Sequence, residues 1–179
     1  MRIIAGALGG RTFDSPHSFK THPMSDKMRG ALFNILGDIA GLTVLDAFAG
    51  SGALGFEAIS RGAASVVAID SDKAAQRVIA ANSRTLGASR QLSLIKASAN
   101  AWLQTNADAR FDLVLCDPPY NDVQIHLLMR LASCVKPGGL LVLSWPGGRP
   151  APEFDGLQKV LHRSYGDAGL VFFERAYSR

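Results

Sequence analysis

Three aspartates each follow an apolar run in this sequence: Asp46 after Thr43-Val44-Leu45, Asp70 after Val66-Val67-Ala68-Ile69, and Asp117 after Phe111 to Cys116. The first leads into Gly50-Ser51-Gly52 with Gly55 beyond, a GxGxxG spacing whose glycines allow a sharp turn and close backbone approach to a ligand. Asp70 stands 20 residues after Gly50, where a carboxylate can accept both hydroxyls of a ribose. This much suits NAD and S-adenosylmethionine equally. Asp46 favours the second, because a negative group beside the loop repels a pyrophosphate and attracts the ammonium of a methionyl moiety. By itself, Asp46 could also serve the turn or the following helix dipole.

The third aspartate opens Asp117-Pro118-Pro119-Tyr120. Two prolines hold the chain extended and carry no N–H, so acceptors dominate the loop: the Asp117 carboxylate and the Pro118 carbonyl. Such a pair suits an exocyclic amino group on a planar base, with the base stacked on Tyr120 for about 1–3 kcal/mol. Accepting both amino hydrogens favours pyramidalisation of the nitrogen and frees its lone pair for attack, with no metal required. Asp-Pro-Pro alone is also an ordinary strand-ending turn. The pairing of the two motifs is what carries the reading.

Elements that could position these groups follow from the patterning. Apolar runs at 43–45, 66–69, 92–95, 111–116 and 140–143 alternate with helix-like stretches at 52–60, 72–86 and 123–135. Continuous apolar runs indicate strands buried on both faces, hence a parallel sheet covered by helices. Ser71 serves as N-cap for the second helix, and Lys136-Pro137-Gly138-Gly139 is a turn closing the third. The pattern predicts an α/β, doubly wound, Rossmann-like fold of mostly parallel strands, in which the first and fourth strands are neighbours at the switch point. Asp46 and Asp117 then face one crevice. Runs at 160–165 and 170–174 flank Gly166-Asp167-Ala168-Gly169 and predict an antiparallel C-terminal edge hairpin. Arg2 to Ala5 and Arg11 to Phe13 flank Gly9-Gly10, and 25–36 reads as a helix. One domain over 1–179 is expected, with a basic appendage at 1–40 on a core at 41–179.

The chain has 179 residues, 47% of them hydrophobic and 19% charged, which excludes disordered and fibrous classes and a two-domain enzyme. Net charge is +4, and residues 1–36 hold Arg2, Arg11, Lys20, Lys27 and Arg29 against only Asp14 and Asp26. That skew marks a basic patch for a polyanion, or a solvated arm. Cys116 and Cys134 form no CxxC pair, and His17, His22, His126 and His162 stand at no metal-ligand spacing, so no metal is expected. No apolar run approaches a membrane span or a signal peptide. A reduced, cytoplasmic setting is the simple inference.

Taken together, these residues resemble the DPPY-type amino methyltransferases, and nearly the whole chain resembles the bacterial RsmD family of small-subunit (16S) ribosomal RNA guanine-N2 methyltransferases. The matching segments are Arg2-Ile3-Ile4-Ala5-Gly6 with Arg11, Ser25-Asp26-Lys27-Met28-Arg29 leading to Ala31-Leu32-Phe33-Asn34-Ile35-Leu36, residues 45–55, residues 117–120, and Arg163-Ser164-Tyr165-Gly166-Asp167. The resemblance implies a class I methyltransferase fold in which Asp46, Phe48, Gly50, Ser51, Gly52, Asp70, Ser71, Ser98 and Ala99 bind S-adenosyl-L-methionine, and Asp117, Pro118 and Tyr120 are catalytic. It implies that Arg2, Arg11, Lys20, Lys27 and Arg29 help engage ribosomal RNA, within a small-subunit assembly particle. Three positions depart from the pattern: Ser98 stands where relatives place Asp or Asn for the adenine amino group, His22-Pro23-Met24 replaces Arg-Pro-Thr, and Leu8 or Gly9 replaces a basic residue. Alternatives are the same chemistry on adenine N6 or cytosine N4 of another nucleic acid, a nicotinamide-dependent oxidoreductase, and a non-catalytic RNA-binding module.

Overall fold

A computed structural model of the chain describes residues 1–16 and 23–177. Its strands are β1 (Thr43–Asp46), β2 (Ser65–Ile69), β3 (Leu92–Ile95), β4 (Phe111–Cys116), β5 (Val135–Pro146), β6 (Leu157–Tyr165) and β7 (Ala168–Arg175). They form one sheet in the order β3-β2-β1-β4-β5-β7-β6. The first five run parallel, and β7 lies antiparallel between β5 and β6. The helices are α1 (Asp26–Leu36), α2 (Ala53–Ser60), α3 (Lys73–Thr85), α4 (Ala99–Thr105) and α5 (Ile125–Ala132). This is the doubly wound, Rossmann-like fold, with the antiparallel edge pair where the sequence predicts it.

Neighbouring residues of one strand feed opposite faces, which explains the unbroken apolar runs. Val44, Leu113 and Val142 enter one buried cluster with Phe56 and Ile79, while Leu45, Val114, Leu141 and Leu143 enter the other with Leu103 and Leu131. Each face is covered by helices, so none of these strand positions meets water.

Three boundaries differ from the sequence reading. The N-cap of α3 is Asp72, not Ser71: its carboxylate accepts from the amides of Ala74 and Ala75 at 2.7 and 3.0 Å. Helix α5 is shorter than 123–135, and Lys136-Pro137-Gly138-Gly139 is no closing turn, because these residues form an irregular stretch of β5 between the pairs Phe111↔Val135 and Leu113↔Leu140. Lys136 Nζ lies 3.1 Å from Asp112, whose carboxylate also accepts from the amide of Thr43 at 2.8 Å, so the excursion is tied to two strands. Helix α4, with Ser98 as N-cap, was not visible in the periodicity; seven residues are too few for a face to show.

The N-terminal segment forms a hairpin through the antiparallel bridge Arg2↔Thr12. Ile3 and Phe13 are buried with Met28, Leu32 and Phe33 of α1 in the same cluster as Val44 and Phe56. One buried acid docks these pieces. Glu57 of α2 accepts from the amides of Ile4 and Ala5 at 2.8 and 3.1 Å and from Arg61 Nε at 2.8 Å, and Arg29 Nε lies 3.8 Å away. The residues that pin the hairpin therefore also set the position of α2, the helix that follows the glycine loop.

Candidate active site

Parallel strands end on one side, so the carboxyl ends of β1, β2, β4 and β5 share an edge. Asp46 pairs in register with Ala68 of β2 and Leu115 of β4, and Cys116 pairs with Leu143 of β5. Leu115 pairs with Val142, so Asp70, Asp117 and Ser144 each stand two residues beyond the level of Asp46. The direction in which successive strands are added reverses between the parallel neighbours β1 and β4: β2 and β3 follow on one side of β1, and β5 follows β4 on the other. The crevice at such a reversal is where open α/β sheets bind ligands.

The glycine loop is built to press against this crevice. Gly50 and Gly52 have φ of +56° and +82°, and a Cβ on Gly52 would come within 2.6 Å of the Phe56 ring. Gly55 brings α2 onto the sheet: a Cβ there would meet Val66 at 3.2 Å and Asp46 Oδ2 at 3.5 Å. The amide of Gly55 donates to Asp46 Oδ2 at 3.1 Å. Asp70 clasps the loop from the other side, Oδ2 accepting from the amide of Gly50 at 2.7 Å and Oδ1 from that of Asp72 at 2.8 Å. Its pKa is raised by partial burial against those two bonds.

Asp46 is fully buried, and among the described residues no group stands at hydrogen-bond geometry to its Oδ1, although the Phe48 amide is near enough to help the Gly55 amide hold the pKa down. Burial foremost, then the charge of Asp117, pushes its pKa from 3.8 up to about 7. A buried carboxylate with an open oxygen is strained electrostatically until a cation or donor meets it. Asp117 is itself pushed up to about 6 by burial, which a hydrogen bond with Ser144 opposes. The influence of Asp117 on Asp46 places both carboxylates in one electrostatic environment, as adjacent strand ends require.

Ser144 was missed by the sequence reading. It is buried at the end of β5, and its Oγ lies 2.6 Å from the Tyr120 hydroxyl. Because Ser144 also bonds Asp117, it ties both ends of the Asp-Pro-Pro-Tyr loop to the sheet. An isolated serine in an apolar strand, Leu140-Leu141-Val142-Leu143-Ser144-Trp145, is the one signal that could have singled it out.

The remaining expected residues divide. Phe48 packs partly buried against the cluster of Leu45, and Ser51 is buried in the loop. Ser71 is exposed at the rim. Ser98 Oγ accepts from the amide of Ala101 at 3.1 Å, so it caps α4 and keeps its O–H for another partner; Ala99, the first residue of α4, is buried. Of the five cations expected at RNA, Arg2 and Lys27 are exposed. Arg29 is a correction: it is wholly buried, Nη2 donating to the carbonyl of Arg2 and to Asp26, because the interior carboxylate of Glu57 needs a cation beside it. Arg11 is exposed, but its guanidinium donates to the carbonyls of Thr85 and Leu86 and so caps the end of α3. Lys20 lies outside the described residues, as do His17 and His22. Among the described residues, no cluster of His, Cys, Asp or Glu could hold a metal ion and no helix is long and apolar enough to cross a membrane.

The family model described as "Conserved hypothetical protein 95" matches residues 1–174. The chain is 34% identical over 157 residues to the ribosomal RNA small subunit methyltransferase D of Haemophilus influenzae, covering 84% of this chain and 81% of that one. A solved structure of yhhF from Escherichia coli superposes with a TM-score of 0.89 at 27% identity, covering 99% of both chains. A hypothetical protein of Thermus thermophilus gives a TM-score of 0.84 at 30% identity, over 97% of this chain and 99% of that one.

Proposed function

From the premise that the chain belongs to the RsmD family, the one its conserved-hypothetical-95 model describes, we propose that it methylates the exocyclic N2 of a guanine in small-subunit ribosomal RNA. The cofactor is S-adenosylmethionine, which when bound supplies an activated methyl group on a sulfonium. The observation that carries the reading is the fully buried Asp46, whose Oδ1 has no hydrogen-bond partner among the described residues, beside a positive-φ glycine loop; this fits the ammonium end of that cofactor. Asp70 takes the ribose with the lone pairs its backbone bonds leave free. Phe48, Ser51, Ser71, Ser98 and Ala99 line the remainder, with the Ser98 hydroxyl toward the adenine.

On the acceptor side, Tyr120 is held by Ser144 as a stacking platform, and the Asp117 carboxylate with the Pro118 carbonyl accepts the two amino hydrogens. The base must leave its stack to reach this crevice, at an unstacking cost of a few kcal/mol that stacking on Tyr120 offsets. Asp117 is ionised above about pH 6, and protonation leaves it a weaker, uncharged acceptor that also carries a competing O–H donor, so activity falls below that pH. Arg2 and Lys27 contact RNA from the hairpin and α1. A ribosomal substrate, in an assembling small subunit, places the reaction in the cytoplasm.

The test incubates the purified protein with 16S rRNA or small subunits and methyl-labelled cofactor, followed by mass spectrometry of nucleosides. N2-methylguanosine is expected, whereas N6-methyladenosine or N4-methylcytidine would reassign the base, and no label would end the enzymatic reading. Asp117→Ala should abolish label incorporation while cofactor affinity by calorimetry stays within about twofold; full turnover in that variant refutes the assignment.

A further inference from the structure

Helix α3 carries a basic track that the site above does not use. Lys73, Gln76, Arg77, Ala80 and Arg84 line a groove of about 530 Å³ with Lys96, the residue after β3. Lys73, Arg77, Arg84 and Lys96 are exposed, and among the described residues none of their side chains is in an ion pair or a side-chain hydrogen bond. Among the described residues, no acidic side chain lines the groove.

The pattern is not one that stabilises a helix. Lys73 sits in the first turn, where the helix dipole disfavours a cation, and Lys73 with Arg77 is a like-charge i,i+4 pair. Only Arg84, in the last turn, is placed where the dipole welcomes it. Arg11 adds a fifth charge at that same end, over the carbonyls of Thr85 and Leu86. From Lys73 to Arg84 the track runs about 16 Å at 1.5 Å per residue, a distance along which one strand of a nucleic-acid helix presents about five phosphates. Its upper end meets the crevice, because Gln76 Nε2 donates to the carbonyl of Asp70 at 2.9 Å.

We infer that the α3 groove is a phosphate-backbone track for the RNA flanking the target base, holding the strand by charge while the crevice takes the base. The inference rests on the ribosomal RNA reading above and adds to it a surface of which its expected contacts included Arg11 alone. Phosphate contacts of this kind position the substrate and carry no sequence information.

The probe is full-length 16S rRNA in filter binding between 50 and 200 mM salt, comparing the natural chain with the double variant Arg77→Gln, Arg84→Gln. Both positions are exposed and Gln keeps helix propensity, and an unchanged melting temperature confirms the fold. Each lost phosphate contact removes about 0.7–0.9 from the slope of log affinity against log salt. The variant should therefore bind roughly tenfold more weakly or worse at low salt, with a slope shallower by about 1.5. Its KM for rRNA should rise with kcat and cofactor affinity unchanged. Equal affinity and slope, or weaker binding at an unchanged slope, overturns the track while leaving the natural chain's methylation intact. A defect seen only with assembled subunits assigns the groove to an acidic protein and overturns it too. If the natural chain neither binds nor methylates rRNA, the underlying reading fails and the track with it.

Discussion

Asp46→Asn should stabilise the protein at alkaline pH while disabling it. The folded chain holds the Asp46 proton with a pKa of about 7, against 3.8 for an exposed aspartate. A carboxyl whose folded pKa is raised favours the folded state below pH 4, and that contribution is lost as pH rises to about 7. Roughly three units at 1.36 kcal/mol each make a penalty of about 4 kcal/mol above pH 7, of which about 1.5 is already present at pH 5. Asparagine bears no charge at either pH, and its Oδ1 can still accept from the amide of Gly55. The advantage of the variant should thus grow by about 2–3 kcal/mol between pH 5 and pH 8.5, a widening of the melting-temperature gap of roughly 5–10 °C for a chain of this size. Scanning calorimetry at the two pH values reads it directly. Asp117 titrates in both proteins, so the difference reports Asp46 and its coupling to Asp117. The same substitution should weaken S-adenosylmethionine binding at least about tenfold, since a charged partner of the ammonium is lost. A melting-temperature gap that is constant or narrows with rising pH would refute the reasoning.

Two further outcomes follow from the buried polar contacts. Ser144→Ala removes the partner of the Tyr120 hydroxyl and the bond that restrains the Asp117 pKa; the acid limb of the kcat profile should move above pH 6 and kcat should fall about tenfold, with cofactor affinity unchanged, whereas a profile that stays in place would deny Ser144 a positioning role. Arg29→Met strips a buried cation from beside Glu57. Stability should drop by about 3 kcal/mol, with the salt dependence of RNA binding unaltered; weaker RNA binding at an unchanged melting temperature would return Arg29 to the RNA surface.

What local patterning encodes is legible in the sequence. Residues 43–45 and 111–116 are largely apolar because both faces of β1 and β4 are buried, and that fact is written into consecutive side chains. The glycines at 50 and 52 announce positive φ, and the loop they make is observed. Helix α4, the N-cap of α3 and the irregular start of β5 were not legible, since competing caps and a register shift depend on which strand end each residue meets.

Charge was the harder quantity. Counting placed Arg11 and Arg29 in one basic patch, yet Arg11 caps α3 and Arg29 lies wholly buried beside Glu57, 28 positions further along the chain. The cations of α3 leave no mark in the charge count because they are diluted along the sequence and gather only on one helical face with Lys96. Order along the chain thus determined the strand succession, the glycine loop and the Asp-Pro-Pro-Tyr segment. Tertiary structure alone decided which charges meet water, that Ser144 braces Tyr120, and that Asp46 keeps an oxygen without a partner among the described residues, because solvation and pairing are set by neighbours in space.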